Sequence, residues 1–165
     1  MNTLILGNLI SLVGCVLMVA IGFVRKKERI LGLQCVQFGI LASANILMGA
    51  WSGAIAGFIG IVRNIVFTKK DGTLTLKIFF IAVQILLSWS AISSGWIEWF
   101  PILSTILFTC FLDTKSEVTL TVLLIVSQMF WLVYDLYYHN YVAMTFDAFT
   151  VASNLIGIFM IRKAN

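Results

Sequence analysis

The sequence predicts an all-α, polytopic membrane protein in which seven transmembrane helices form two parallel three-helix repeats joined by a linker helix. Three observations lead to this fold class: an apolar composition, seven long apolar segments, and a weak internal repeat. Of 165 residues, 61% are hydrophobic and only 11% are charged, whereas soluble domains carry about 25% charged residues. This composition excludes a disordered chain, a coiled coil and an ordinary soluble enzyme.

Seven segments approach the ~20 residues that a helix needs to cross the hydrocarbon core. They are predicted, in order, at Thr3–Val24, Leu31–Met48, Ser52–Thr68, Leu74–Ser93, Trp96–Leu112, Val118–Tyr138 and Tyr141–Ile161. Each of the first six ends at charged, small or turn-forming residues, which are Arg25–Arg29, Gly49–Trp51, Lys69–Gly72, Ser94–Gly95, Asp113–Glu117 and His139–Asn140. The breaks after Met48 and Tyr138 are so short that six spans form an alternative.

Lysine and arginine fall on one side of the membrane if the chain crosses it seven times. Loops one, three and five, their flanks and the C-terminus carry ten of the 11 such residues: Arg25, Lys26, Lys27, Arg29, Lys69, Lys70, Lys77, Lys115, Arg162 and Lys163. Because cytoplasmic loops are rich in Lys and Arg, we predict an outer N-terminus and a cytoplasmic C-terminus. The net charge of +4 is then a topology signal, and nucleic acid is not an expected partner.

Aromatic side chains gather at the predicted outer boundary. Trp and Tyr prefer such an interface because the ring is apolar while the polar tip stays hydrated. We expect an anchoring belt formed by Trp51, Trp96, Trp99, Tyr137, Tyr138 and Tyr141.

The internal repeat has an offset of 90 residues, which aligns Asn45 with Asp135 and Asn64 with Asn154. Spans one to three then correspond to spans five to seven, and span four links two copies of the same orientation. We predict a first bundle over residues 1–70, a linker helix over 71–95 and a second bundle over 96–165. In transporters built from repeats, the solute site lies at the repeat interface near the bilayer midplane.

Polar residues inside the predicted spans define a candidate solute site. Ionisable side chains are costly in the hydrocarbon core, and the three that occur there are Arg63, Asp135 and Asp147. Helical spacing places Asp147 and Asn154 on one face of the last span. We expect a central cavity lined by Asn64, Asn154, Asp147, Trp131, Gln128 and Asp135.

Each of these residues has an expected role in the cavity. Asn64 and Asn154 would orient the solute, because amides offer both donors and acceptors. Trp131 would stack on a ring or a sugar face, and Asp147 would bind a cation or carry a proton.

Packing is the alternative explanation for the same residues. Gly53 and Gly57 are spaced for close helix contact, and Asn64 and Asn154 would bond across the repeat interface. Asp135 would simply be hydrated near its helix end, and Arg63 would extend along the helix to the interface. Pro101 would either kink its helix or occupy the first turn.

No pattern typical of a catalytic or cofactor site is present. The chain has no Gly-rich phosphate loop, no His-Glu-x-x-His and no metal-spaced cluster of Cys or His. A single His makes a Ser-His-Asp triad implausible. We therefore expect no enzyme, no cofactor and no metal, with an intramembrane acid pair of Asp135 and Asp147 as the enzymatic alternative. The odd number of cysteines, all within predicted spans, indicates free thiols.

Two segments resemble the YgjV-type bacterial inner-membrane family. The first runs from Leu47–Trp51 through Ile61–Asn64 to the basic residues Lys69–Lys70. The second is Phe130–Asp135, followed by Asn154–Ile158. The resemblance covers nearly the whole chain and implies an inner-membrane protein.

The predicted layout is also similar to that of the SWEET sugar transporters and the PnuC vitamin transporters. In SWEETs an asparagine on each of spans three and seven faces the substrate, which would assign that role to Asn64 and Asn154. The chain departs from the SWEET pattern of four prolines, since Pro101 is its only one.

These observations favour a transporter or facilitator of the bacterial cytoplasmic membrane that works by alternating access. The expected partners are the lipid bilayer and a small polar or cationic solute, and a homo-oligomer is compatible with the composition. The alternative is a non-transporting integral membrane protein that acts through protein partners, in which the polar residues hold helices together.

Overall fold

The computed structural model describes residues 2–21, 24, 27–69, 73–92, 95–111 and 117–164. These residues form seven α-helices and one short 3-10 helix. The helices are α1 (Thr3–Ile21), α2 (Lys27–Leu47), α3 (Trp51–Lys69), α4 (Leu74–Ile92), α5 (Trp99–Phe111), α6 (Glu117–Tyr137) and α7 (Tyr141–Ala164), and the 3-10 helix is Trp96–Glu98. The seven predicted helices are confirmed. Turns after α2 and after α6 divide the segments that the six-span alternative would join.

The outer surfaces of the helices are apolar, as expected for helices in a lipid environment. Within the described residues, three segments are long and apolar enough to cross a membrane, namely Thr3–Ile21, Arg29–Leu47 and Leu74–Ile92. Three others are apolar but shorter: Trp51–Phe67, Trp96–Phe111 and Thr121–Tyr137. Exposed leucine, valine, phenylalanine and tryptophan side chains cover their outer faces. An all-helical protein with this surface is consistent with a helical membrane protein.

The helices pack in a closed ring, with α4 outside it. Helix α2 packs between α1 and α3, and α6 packs between α5 and α7. The ring closes at two contacts, where α1 meets α7 and where α3 meets α5. Helix α4 packs against α3 and α5, on the outside of the second contact. In the described part of the chain, α2 contacts no helix other than its two neighbours in the ring.

The turns after α2 and α6 share one hydrogen-bond pattern. Ala50 N donates to Asn45 O, and Asn140 N donates to Asp135 O, each at 2.8 Å. These bonds satisfy carbonyl groups that a helix end otherwise leaves without partners. As a result α3 and α7 begin only a few residues after the preceding helix ends.

A residue in the left-handed conformation makes each turn tight. Gly49 has a φ of 76°, and His139 has a φ of 58°. Glycine adopts this conformation without steric cost, whereas a residue with a Cβ does so only where the surrounding structure imposes it. The second turn has no glycine, and Asn8 of α1 holds it through a hydrogen bond from Nδ2 to the His139 backbone oxygen.

The glycines of α3 let α2 pack closely against it. A Cβ atom at Gly57 would lie 3.0 Å from the Ala42 Cβ and 3.2 Å from the Phe38 backbone oxygen. A Cβ atom at Gly60 would lie 2.9 Å from the Phe38 ring. A Cβ atom at Gly53 would lie 2.8 Å from both Asn45 Nδ2 and Tyr134 Cε1, so the packing interpretation of the Gly53 and Gly57 spacing is confirmed.

The expectation for Arg63 of α3 is that it extends along the helix to the interface. Its side chain is 8% exposed, and Nη1 donates to Thr109 Oγ1 of α5 at 3.5 Å. The guanidinium is thus buried against α5 rather than extended into a hydrated interface, because α5 covers it. Pro101 lies in the first turn of α5, which is one of its two expected positions.

The structure describes the residues of the predicted aromatic belt but only part of the predicted basic side. Trp51, Trp96, Trp99, Tyr137 and Tyr141 are exposed at the same end of the bundle, whereas Tyr138 is partly buried. The loop residues Arg25, Lys26, Lys70 and Lys115 lie outside the described residues.

Replacement of Gly57 by alanine should lower the melting temperature of the purified protein in detergent. The added Cβ has to displace backbone and Ala42, and such overpacking typically costs about 1–3 kcal/mol. Gly32→Ala is the matched control on α2, because nothing lies within 4 Å of its added Cβ. Alanine in a helix is better than glycine by roughly 0.5–1 kcal/mol, so the control should be slightly stabilised. Equal effects of the two substitutions would contradict the close packing of α2 and α3.

Candidate functional site

A buried carboxylate from the second half of the chain caps the first turn of α3. Glu98 is 2% exposed, and its Oε2 accepts a hydrogen bond from Ser52 N at 3.1 Å. The first N–H groups of a helix lack partners within the helix, and the helix dipole favours a negative charge beside them. Glu98 therefore fastens the 3-10 helix to α3.

Tyr138 supports this cap from the turn after α6. Its hydroxyl donates to Glu98 Oε1. Burial and the hydrogen bond to Glu98 raise the pKa of the Tyr138 phenol, so the hydroxyl stays protonated and remains a donor. Both carboxylate oxygens of Glu98 thus have a neutral donor.

Asn8 of α1 caps α7 in the corresponding way. Its Oδ1 accepts from Val142 N at 3.1 Å, and its Nδ2 donates to the His139 backbone oxygen at 3.0 Å. Asn8 precedes Glu98 by 90 residues, and Ser52 precedes Val142 by the same interval. The acceptor for the first turn of α3 therefore comes from the 3-10 helix, and the acceptor for the first turn of α7 comes from α1.

Tyr134 extends from α6 to the same first turn of α3. Its hydroxyl accepts from Gly53 N at 2.9 Å and from Ser52 Oγ at 3.2 Å. Trp131, one turn earlier on α6, packs edge-on against the Tyr134 ring, with 5.8 Å between ring centroids. Trp131 is thus part of an aromatic cluster at this end of the ring.

Two buried carboxyl groups meet between α6 and α7. Asp135 is 4% exposed and Asp147 is 7% exposed. The Gln128 Nε2 donates to Asp147 Oδ1 at 2.8 Å, and the Asn140 Nδ2 donates to Asp135 Oδ1 at 3.2 Å. The two carboxyl groups also lie within hydrogen-bonding distance of each other. The alternative in which Asp135 is simply hydrated is wrong, because α6 and α7 bury it.

This contact constrains the charge of the pair. Two unit charges about 4 Å apart repel by roughly 4 kcal/mol at an effective dielectric constant of about 20. In the described part of the chain, no basic side chain is paired with either carboxyl group. A hydrogen bond between two carboxyl groups requires a proton on one of them. A direct contact between the two carboxyl groups is thus compatible with one negative charge on the pair rather than two.

Helix α1 presents a polar stripe to this pair. Asn8, Ser11 and Cys15 follow helical spacing, so they share one face of α1. Asn8 bonds to the start of α7, and Cys15 lies near both carboxyl groups. Ser11 Oγ is fully buried, and neither it nor Asp147 Oδ2 has a hydrogen-bond partner among the described residues.

Each of the two asparagines predicted to orient a solute makes a hydrogen bond with its own helix or a neighbouring one. Asn64 is buried and donates from Nδ2 to Gln34 Oε1 of α2 at 3.0 Å. Asn154 is half-buried and donates from Nδ2 to the Thr150 backbone oxygen at 2.8 Å. Asn154 lies about 10 Å along α7 from Asp147, at 1.5 Å per residue.

The structure brings only part of the predicted set together. Gln128, Asp135 and Asp147 form one cluster, and Trp131 lies on the same helix between the first two. Sequence reasoning missed the caps formed by Glu98 and Asn8. The 90-residue offset already paired these two polar residues, and that pairing was the signal that could have found them.

Comparison with known proteins adds one finding. Residues 5–165 match the family model Imp-YgjV, described as a bacterial inner membrane protein. No curated protein and no solved structure shows a significant match to the chain.

Replacement of Glu98 by alanine should destabilise the protein through the cap of α3. Ser52 N and the Tyr138 hydroxyl lose their acceptor, and an unsatisfied buried group costs about 1–3 kcal/mol. Glu98→Gln retains one acceptor oxygen and should lose less. Thermal unfolding in detergent gives the comparison, with Thr73→Ala as the control, since Thr73 makes only an exposed cap at α4. A Glu98→Ala loss no larger than that of the control would contradict the cap.

Proposed function

Because the chain belongs to the Imp-YgjV family of bacterial inner membrane proteins, we propose that it moves a small polar solute across the cytoplasmic membrane. In this proposal all seven helices span the membrane and the protein works by alternating access. The observation that carries the proposal is the ring of helices, whose two halves are joined by two equivalent polar contacts. Such a ring can open at either face when one half tilts against the other.

Equal spacing of the elements supports two parallel three-helix repeats. Helix α2 spans Lys27–Leu47 and α6 spans Glu117–Tyr137, which is the same range moved by 90 residues. The starts of α3 and α7 and the ends of α1 and α5 are related by the same interval. Within each half, the middle helix packs between the other two. Helix α4 then acts as the linker that lets both repeats have the same direction.

Two helix caps, formed by Glu98 on α3 and by Asn8 on α7, close this end of the ring. The cap of α3 by Glu98 and the cap of α7 by Asn8 each join one half to the other. The aromatic cluster of Trp131, Tyr134 and Tyr138 packs beside the first of them. Opening this end requires both caps to break, so in this proposal the capped arrangement is the state closed at the predicted outer face.

The inner polar groups suit a small polar or cationic solute. Gln128 and Asp147 present an amide and a carboxyl group on facing helices. Asn64 and Asn154 lie towards the other end of α3 and α7 and would meet the solute when the ring rocks. The excess of Lys and Arg at the ends opposite the caps supports an outer N-terminus and a cytoplasmic C-terminus.

A second candidate function is a non-transporting membrane protein that acts through protein partners. The hydrogen bond between Asn64 and Gln34 favours it, because that bond joins two neighbouring helices of one half. The close contact of α2 with Gly57 has the same effect. In this alternative the polar residues hold helices together and no path for a solute exists.

Accessibility of position 154 distinguishes the two functions. Asn154→Cys, in a variant with Cys15, Cys35 and Cys110 replaced by alanine, should react with a charged, membrane-impermeant thiol reagent in proteoliposomes. Water that reaches the solute path carries the reagent to this position. Phe149→Cys is the matched control on α7, because Phe149 is 68% exposed on the outside of the bundle and should be shielded by lipid.

Modification of the position 154 cysteine, with protection of the position 149 cysteine, is the expected result. If reagent added to either side leaves position 154 unmodified, the transport proposal is contradicted and the packing role is favoured.

A further inference from the structure

We propose that Asp135 and Asp147 form a binding site for one proton, which the two carboxyl groups share, and that this proton is the ion coupled to solute movement. The coupling rests on the proposed transport function, whereas the proton site itself does not. The site lies where α6 and α7 meet, beside the contact of α7 with α1 that closes the ring.

Hydrogen-bond donors around the pair favour a proton over a metal ion. The Gln128 and Asn140 amides each donate to one carboxylate oxygen, so both Oδ1 atoms are occupied by N–H groups. A metal ion needs those oxygens as ligands, whereas a proton needs only the space between the two carboxyl groups. Asp147 Oδ2 has no other partner among the described residues, and it is therefore the atom available to carry that proton.

The groups that surround the pair cannot neutralise it. The titratable side chains on the packed elements are Cys15 of α1, Tyr134, Tyr137 and Tyr138 at the end of α6, His139 in the following turn, Tyr141 at the start of α7, and Glu98 of the 3-10 helix. Of these only His139 can carry a positive charge, and its exposed ring packs edge-on against Tyr141 rather than against the buried aspartates. Loss of the shared proton leaves two carboxylates in contact, which repel each other and require water.

The 90-residue offset allows the acid pair to be compared with the equivalent positions of the first half. These positions hold Asn45 and Gly57. The turn after α2 and the start of α3 nevertheless have the same hydrogen bonds as their counterparts. The acid pair is thus an addition to the second half, which gives one proton site per chain.

The position of the acid pair in the ring explains how release of the proton would move α6 and α7. Asp135 supplies the backbone oxygen that closes the turn before α7, and Asp147 lies two turns into α7. Asn8 joins α1 to the start of this helix. Repulsion between the carboxylates pushes α6 and α7 apart at this joint, so release of the proton favours opening and its uptake favours closure.

Infrared spectroscopy of the protein in lipid nanodiscs tests the site without a known solute. The wild-type protein at neutral pH should show the carbonyl band of a buried, protonated carboxylic acid, which moves in heavy water and disappears on titration to alkaline pH. The double variant Asp135→Asn, Asp147→Asn should lack this band. Glu98→Gln is the matched control and should keep it, because Glu98 makes none of the hydrogen bonds of Asp135 and Asp147.

Three results would overturn the proton site. They are no such band in the wild-type protein, a band that survives in the double variant, and a band lost when choline is replaced by sodium at constant pH. The last result would assign the site to a sodium ion. If the infrared result is as expected and the cysteine at position 154 stays unmodified, the proton site stands and only the transport function fails.

Discussion

The first turn of a helix in an apolar surrounding is the constraint on which this structure depends. Its backbone N–H groups have no partner in the helix, and where other helices bury them water offers none. The protein meets this requirement twice by the same device: a polar side chain from a distant part of the chain accepts a hydrogen bond from the first turn of the helix. Glu98 does this for α3 and Asn8 for α7. The 3-10 helix is thereby joined to α3, and α1 to α7, at one end of the ring.

The difference between the halves indicates where the chemistry lies. The first half places Gly57 against Ala42, so its second and third helices meet by close packing. The second half places Asp147 at the equivalent position, against Asp135 and Gln128. Close packing gives a rigid pair, whereas two carboxyl groups give a pair whose contact depends on a proton. The two caps differ as well, because Glu98 caps α3 with a carboxylate whereas Asn8 caps α7 with a neutral amide.

Much of the fold follows from the sequence, because its pattern is carried by long apolar segments and short turns. The helix α7 begins at the predicted Tyr141, and α4 begins at the predicted Leu74. Side-chain direction was less predictable. Arg63 is covered by α5 and not by lipid, because the contact of α3 with α5 is a property of the ring and not of the α3 sequence. Asp135 is buried because α7 packs against α6. The distance of a residue from the end of its own helix does not reveal such a contact.

A distance measurement between the two halves tests the central claim most directly. Spin labels at Trp51→Cys and Tyr141→Cys, in the cysteine-free variant in nanodiscs, report the separation of the starts of α3 and α7, where both side chains are exposed. The account predicts one short distance at mildly acidic pH and a second, longer population at alkaline pH, because the unprotonated aspartates drive the capped end apart. A single distance that does not change with pH would contradict it.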